Sequence, residues 1–156
     1  MNDFGLSIWG NSNFVIEDGK VCINAASKPA IIDIVKEIRD DGYRGPLLLR
    51  FPHLIQKQIE QIHASFAKAK KEFAYKGSFN AVFPLKVNQY PGFVKNLVRL
   101  GKPYNYGLEA GSKAELLLTM AYNNDKAPIT VNGFKDKEMI NIGFIAAEMG
   151  HNITLT

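Results

Sequence analysis

Three residues of different chemistry recur at a fixed interval in the second half of the chain. Lys86, Glu109 and Asn132 stand 23 residues apart each time. Each follows a short apolar run: Ala81–Leu85, the end of Tyr104–Leu108, and Ile129–Val131. An amine, a carboxylate and an amide converging on one rim make a candidate chemical site. Burial favours the neutral, nucleophilic form of an amine, and such a lysine can form a Schiff base. The same lysine can equally mark the place where a strand meets water, because lysines are mostly exposed. Spacing alone leaves both readings open, as it does for a polar rim with no chemistry.

The interval predicts the elements that must position these residues. Each apolar run reads as a buried strand, and each is followed by a helical stretch: from about Gly92 to Leu100, Ser112 to Tyr122, and Asp136 to Met149. A fourth strand begins at Asn152. Short strands joined through helices run parallel with right-handed crossovers. Repeated units of equal length favour a (β/α)8 barrel over an open sheet, and in a barrel the active site forms at the carboxyl ends of the strands. A barrel needs about 250 residues, so the chain is expected to be a slice of a longer protein.

The first half has another rhythm. Ile8–Ile16 and Lys20–Ile23 read as two strands around Glu17-Asp18-Gly19, an Asp-Gly hairpin signal. Ser27 is expected to cap a helix with Pro29 in its first turn, an apolar face of Ile31, Ile34, Val35 and Ile38, and Gly42 past its end. Leu47–Phe51 reads as a short buried strand. Pro52 opens a long helix to about Tyr75, with Ile55, Ile59, Ile62, Phe66 and Phe73 on one stripe and Gly77 as terminator. The expected division is residues 1–45, a hairpin and helix, and 46–156, the first βα units of a barrel.

Further residues invite chemistry and have simpler roles. Ser112 and Glu115 have capping-box spacing, so Glu115 is expected to reach back to the Ser112 amide. His53 and His63 read as surface or boundary residues, since nothing supplies a metal-ligand spacing beside them. Lys68, Lys70 and Lys71 read as a solvated helix face.

Composition narrows the class. The 156 residues are 46% hydrophobic and 22% charged, with a formal net charge of +4. That is ordinary globular composition without a nucleic-acid motif, so no nucleic-acid partner is expected. The single cysteine, Cys22, cannot form an internal disulfide and suits a reducing compartment. No apolar run approaches the roughly 20 residues of a membrane span. A cytoplasmic location with no membrane partner is expected.

Three blocks together carry a family resemblance. They are Phe83-Pro84-Leu85-Lys86-Val87-Asn88-Gln89, Gly107-Leu108-Glu109-Ala110-Gly111-Ser112-Lys113-Ala114-Glu115-Leu116, and Asn132-Gly133-Phe134-Lys135-Asp136. They resemble the biosynthetic arginine decarboxylases, pyridoxal-phosphate enzymes of the alanine-racemase and ornithine-decarboxylase fold type. Trp9-Gly10-Asn11 and Leu47 to Phe66 are similar to that family as well. The resemblance implies that Lys86 carries pyridoxal 5'-phosphate as a Schiff base and that L-arginine is converted to agmatine and carbon dioxide. It implies that Glu109 lies near that Schiff base, with Asn88 and Asn132 lining the cofactor site. It implies a β-rich domain joined by the first segment, magnesium as a possible further cofactor, and a homodimer or homotetramer. Phosphate-binding and substrate-binding residues of the family lie outside these blocks. Decarboxylases of lysine, ornithine or diaminopimelate, a racemase, or a non-catalytic pyridoxal-phosphate carrier of the same fold remain alternatives.

Overall fold

The computed structural model describes residues 3–124 and 126–156. They divide into two compact units, Met1–Arg50 and Phe51–Thr156.

In the first unit, β1 (Phe14–Glu17) and β2 (Lys20–Ile23) form an antiparallel hairpin, with Glu17 opposite Lys20. Asp18 and Gly19 both take positive φ, 49° and 74°, the conformation of a two-residue turn that matches strand twist. The expected first strand begins late: Leu6–Trp9 is a helical turn, α1, and Trp9 packs on Phe14 with ring centroids 5.4 Å apart. The next helix, α2, spans Ile31–Asp40 and packs on β2. Its N-cap is Ala30, with no side-chain cap, so Ser27 does not cap it. Residues 24–30 instead fold back on the hairpin: the Ile23 amide donates to the Pro29 carbonyl, and Ala30 bridges to Cys22. Lys20 pairs with Asp33 at 2.9 Å and Lys28 with Glu17 at 2.5 Å. Residues 47–51 form no strand, and Leu48 is 72% exposed. The leucines at 47–49 are apolar, but they take no strand conformation among the described residues.

The second unit is a mixed α/β layer. Strands β3 (Val82–Pro84), β4 (Gly107–Ala110), β5 (Pro128–Val131) and β6 (Asn152–Leu155) make a parallel sheet in sequence order. Four helices accompany them: α3 (Pro52–Glu72), α4 (Pro91–Gly101), α5 (Lys113–Tyr122) and α6 (Lys137–Glu148). The long helix stops with Ala74 at φ 50°, three residues before the expected glycine.

Strand alternation sorts the side chains onto two faces. Leu108, Ala110, Ile129 and Val131 are buried under the helices. One cluster joins Ala110, Leu116, Ile129, Val131 and Met139; another joins Ile59, Leu85, Val94, Leu97 and Leu108. At about 25 cal/mol per Å² of buried apolar surface, each leucine, isoleucine, valine or methionine among them contributes roughly 1.5–3 kcal/mol. The residues between them, Glu109 and Thr130, lie on the opposite face and stay half-exposed.

Candidate active site

The observed register differs from the 23-residue interval. Pro84 pairs with Glu109, Glu109 with Thr130, and Thr130 with Thr154. Glu109 thus lies within its strand, while Asn132 follows β5 and Lys86 follows β3. Lys86 occupies the middle of a one-turn 3₁₀ helix, Leu85–Val87. The reason is local. Pro84 cannot donate to a ladder, and Leu85 turns inward to become 2% exposed in the core. Pulling Leu85 in rolls the backbone into the turn and lifts Lys86 into an exposed position. Lys86 is therefore not held out of water by this chain's own residues, and it makes no ion pair among the described residues.

The turn is closed by its own polar residues. The Asn88 amide donates to the Leu85 carbonyl at 3.1 Å, and the Asn88 side-chain oxygen accepts from the Tyr90 amide at 3.1 Å. Those bonds lead the chain into α4 at Pro91. This 3₁₀ turn also contacts β4, the strand that carries Glu109.

Glu109 and Asn132 do meet. The Asn132 amide group donates to Glu109 Oε1 at 3.3 Å, and the Asn132 backbone N–H donates to the Ala110 carbonyl at 2.9 Å. The next residue must be glycine. A Cβ on Gly133 would lie 2.2 Å from the Gly111 carbonyl oxygen, well inside any tolerable contact. The loops after β4 and β5 therefore touch backbone to backbone.

Glu115 departs from the expected capping box. Ser112 Oγ accepts from the Glu115 amide at 3.2 Å, as a capping serine should. The Glu115 carboxylate, however, accepts from the Gly111 amide at 2.6 Å and from Gln89 Nε2 at 3.0 Å. Sequence reasoning missed this link between Gln89 and Glu115. It missed Thr130 and Thr154 too, although the alternation of Pro128-Ile129-Thr130-Val131 was a usable signal.

Around the rim, Lys113 bridges α5 to the start of α6 through Asp136, at 2.8 Å, and Glu138. Those bonds raise the Lys113 pKa, and the hydrogen bond from Lys113 is the first cause that lowers that of Asp136. Among the described residues no group of three or more His, Cys, Asp or Glu could hold a metal ion. Among them no helix is long and apolar enough to cross a membrane.

Comparison with known proteins gives this geometry its context. No protein-family model matches the chain. The chain is 35% identical over 153 residues to the biosynthetic arginine decarboxylase of Prochlorococcus marinus, covering 94% of this chain and 24% of that protein. It is 33% identical over 162 aligned positions to the enzyme of Salmonella paratyphi B, covering 99% and 25% respectively. The crystal structure of the biosynthetic arginine decarboxylase SpeA from Campylobacter jejuni superposes with a TM-score of 0.96 at 81% identity, over 99% of this chain and 26% of that one. The chain thus spans about a quarter of the length of the relatives it matches. By sequence and by fold, it is similar to about a quarter of a biosynthetic arginine decarboxylase.

Proposed function

We propose that the protein containing this chain decarboxylates L-arginine to agmatine in polyamine biosynthesis, with Lys86 holding pyridoxal phosphate. The observation that carries this reading is the 81% identity to a solved arginine decarboxylase, sustained over 99% of the chain. The residues present suit the cofactor. Lys86 is a primary amine on an exposed turn, with no ion-pair partner among the described residues to compete for it. Bound pyridoxal phosphate supplies an aldehyde that condenses with an amine, and a ring that takes up the electron pair left when carbon dioxide departs.

The chain's own residues have distinct parts. Lys86 would hold the cofactor through its amine, and that amine would hold or move a proton beside the reacting carbon. Glu109 offers negative charge on the sheet face away from the helices, oriented by Asn132, and so stabilises positive charge on a nearby nitrogen. Asn132 thereby lines the site. Asn88 uses its side-chain oxygen to shape the turn, which leaves its amide hydrogens for the ligand.

The four sequential parallel strands are read as the opening part of a (β/α)8 barrel, with Glu109, Thr130 and Thr154 in its interior. On that reading residues 46–156 belong to the barrel, and 1–45 pack with a β-rich domain. A homodimer or homotetramer in the cytoplasm completes the proposal; the free, buried Cys22 suits a reducing compartment. Magnesium finds no ligand cluster among the described residues, so no step is assigned to it.

The test is borohydride trapping of the full-length protein loaded with pyridoxal phosphate, followed by peptide mapping and assays with arginine, lysine and ornithine. A reduced adduct on Lys86 with turnover of arginine is expected. An adduct on another lysine, or none in folded protein, would remove the basis of the assignment. Preference for lysine or ornithine would move the protein to a neighbouring decarboxylase.

A further inference from the structure

We propose that buried Glu115 and exposed Gln89 form a brace that positions Lys86 against Glu109. The inference rests on the reading that Lys86 holds the cofactor, and goes beyond it by assigning a role to two residues remote from the amine. Glu115 is 8% exposed, yet no lysine, arginine or histidine pairs with it among the described residues. A carboxylate in such a place is costly unless hydrogen bonds satisfy it. Both oxygens are satisfied, and by two different loops. Oε2 takes the Gly111 N–H, two residues after Glu109; Oε1 takes the side-chain amide of Gln89, three residues after Lys86.

A capping role explains only half of this. The cap needs Ser112 and the first turn of α5, and Ser112 Oγ already provides it. The bond to Gln89 spans 26 residues and satisfies no helix terminus. Its effect is to tie the exposed turn of Lys86 to the end of β4. The third loop joins through Gly111, whose carbonyl oxygen lies 2.2 Å from where a Cβ on Gly133 would sit. One buried carboxylate therefore sets the separation of the turn bearing Lys86 and the loop following Glu109, with Asn132 held alongside. Glu115 and Gln89 are assigned as positioning residues: they act through the turn, and neither hydrogen-bonds to Lys86 among the described residues.

Three substitutions in the full-length protein separate this role from capping and from charge. Gln89→Ala cuts the brace and leaves the cap intact. Glu115→Gln removes the charge but keeps both bonds available: its oxygen can accept from Gly111 and its new amide can donate to Gln89 once the Gln89 amide turns over. Glu115→Ala removes everything. The readouts are the dissociation constant for pyridoxal phosphate on reloading and the rate of borohydride-trappable attachment at Lys86, with thermal unfolding as the folding control. A hydrogen bond to a charged group supports an expected loss of about tenfold in cofactor affinity for Gln89→Ala at unchanged melting temperature. Glu115→Gln should stay within about threefold of the parent, and Glu115→Ala should lose at least as much as Gln89→Ala. Unchanged attachment in Gln89→Ala would overturn the brace. So would a loss in Glu115→Gln equal to that in Glu115→Ala, which would make the charge itself the functional feature. Absence of any Lys86 adduct in the unsubstituted protein would instead overturn the cofactor reading on which the brace depends.

Discussion

At the scale of single residues, the site is built from groups whose surroundings decide their use. Glu109 and Glu115 are both carboxylates near the same rim. One is half-exposed and shares a 3.3 Å bond with Asn132, which leaves it able to respond to a ligand; the other is buried with both oxygens committed. His63 shows the same logic away from the rim. Its ring lies 5.2 Å from Phe79, 5.0 Å from Tyr104 and 6.0 Å from Tyr106, and its buried Nε2 has no hydrogen-bond partner. Desolvation lowers its pKa below the ordinary 6.5. The unfolded chain therefore binds a proton there more readily than the folded one. The stabilisation is complete above pH 6.5 and declines as pH falls from 6.5 through the lower folded value. His63→Leu should flatten that part of the pH dependence. Urea midpoints of the two proteins between pH 5 and 7.5 would check it; equal slopes would show that His63 is not the titrating group.

At the scale of elements, periodicity served well where a helix or strand was long enough to show it. The amphipathic stripe placed α3, and Ser112 and Asp136 marked the starts of α5 and α6, where both side chains accept from the backbone three residues on. The parallel order of four strands followed from the βα alternation. Sequence reading failed where tertiary context overrode pattern. Residues 47–49 are apolar but take no strand conformation among the described residues, and Ile8 lies in a helical turn preceded by Asp3, whose side chain accepts from the Gly5 amide at 2.9 Å. The interval of 23 fell at or near the ends of three successive strands but missed the register, since Leu85 enters the core and the chain turns there. The meeting of Glu109 with Asn132 was legible from the interval. The Gln89–Glu115 bond was not, because a link between two loops leaves no periodic trace. The element contacts make a packing prediction. Leu116 is fully buried between α5 and the sheet, so Leu116→Ala should cost about 2–5 kcal/mol. Ser112→Ala should cost only about 1 kcal/mol through loss of the cap. Chemical denaturation would check the ranking; equal losses would mean that the cap also carries the brace.

At the scale of the whole molecule, the sheet presents surfaces that a finished core would cover. Strands β3 and β6 are each paired on one side only among the described residues, which leaves a row of backbone donors and acceptors on either edge. The face opposite the helices carries Glu109 and Thr130 half-exposed and Thr154 exposed. Phe134, after β5, is 91% exposed, and Leu155, near the end of edge strand β6, is 38% exposed. Unpaired edges recruit other strands, and exposed apolar side chains recruit other surfaces. In the proposed barrel both edges are taken by further strands of the same chain, and the polar face turns inward around the cofactor. The 156-residue chain produced alone should therefore self-associate with rising concentration and bind a hydrophobic dye, whereas the full-length protein should do neither beyond its defined oligomer. Light scattering after size exclusion, with dye fluorescence on the same fractions, makes the comparison. A monodisperse isolated chain that binds no dye would show that these edges need no further strands, and would count against the barrel rather than against the decarboxylase assignment.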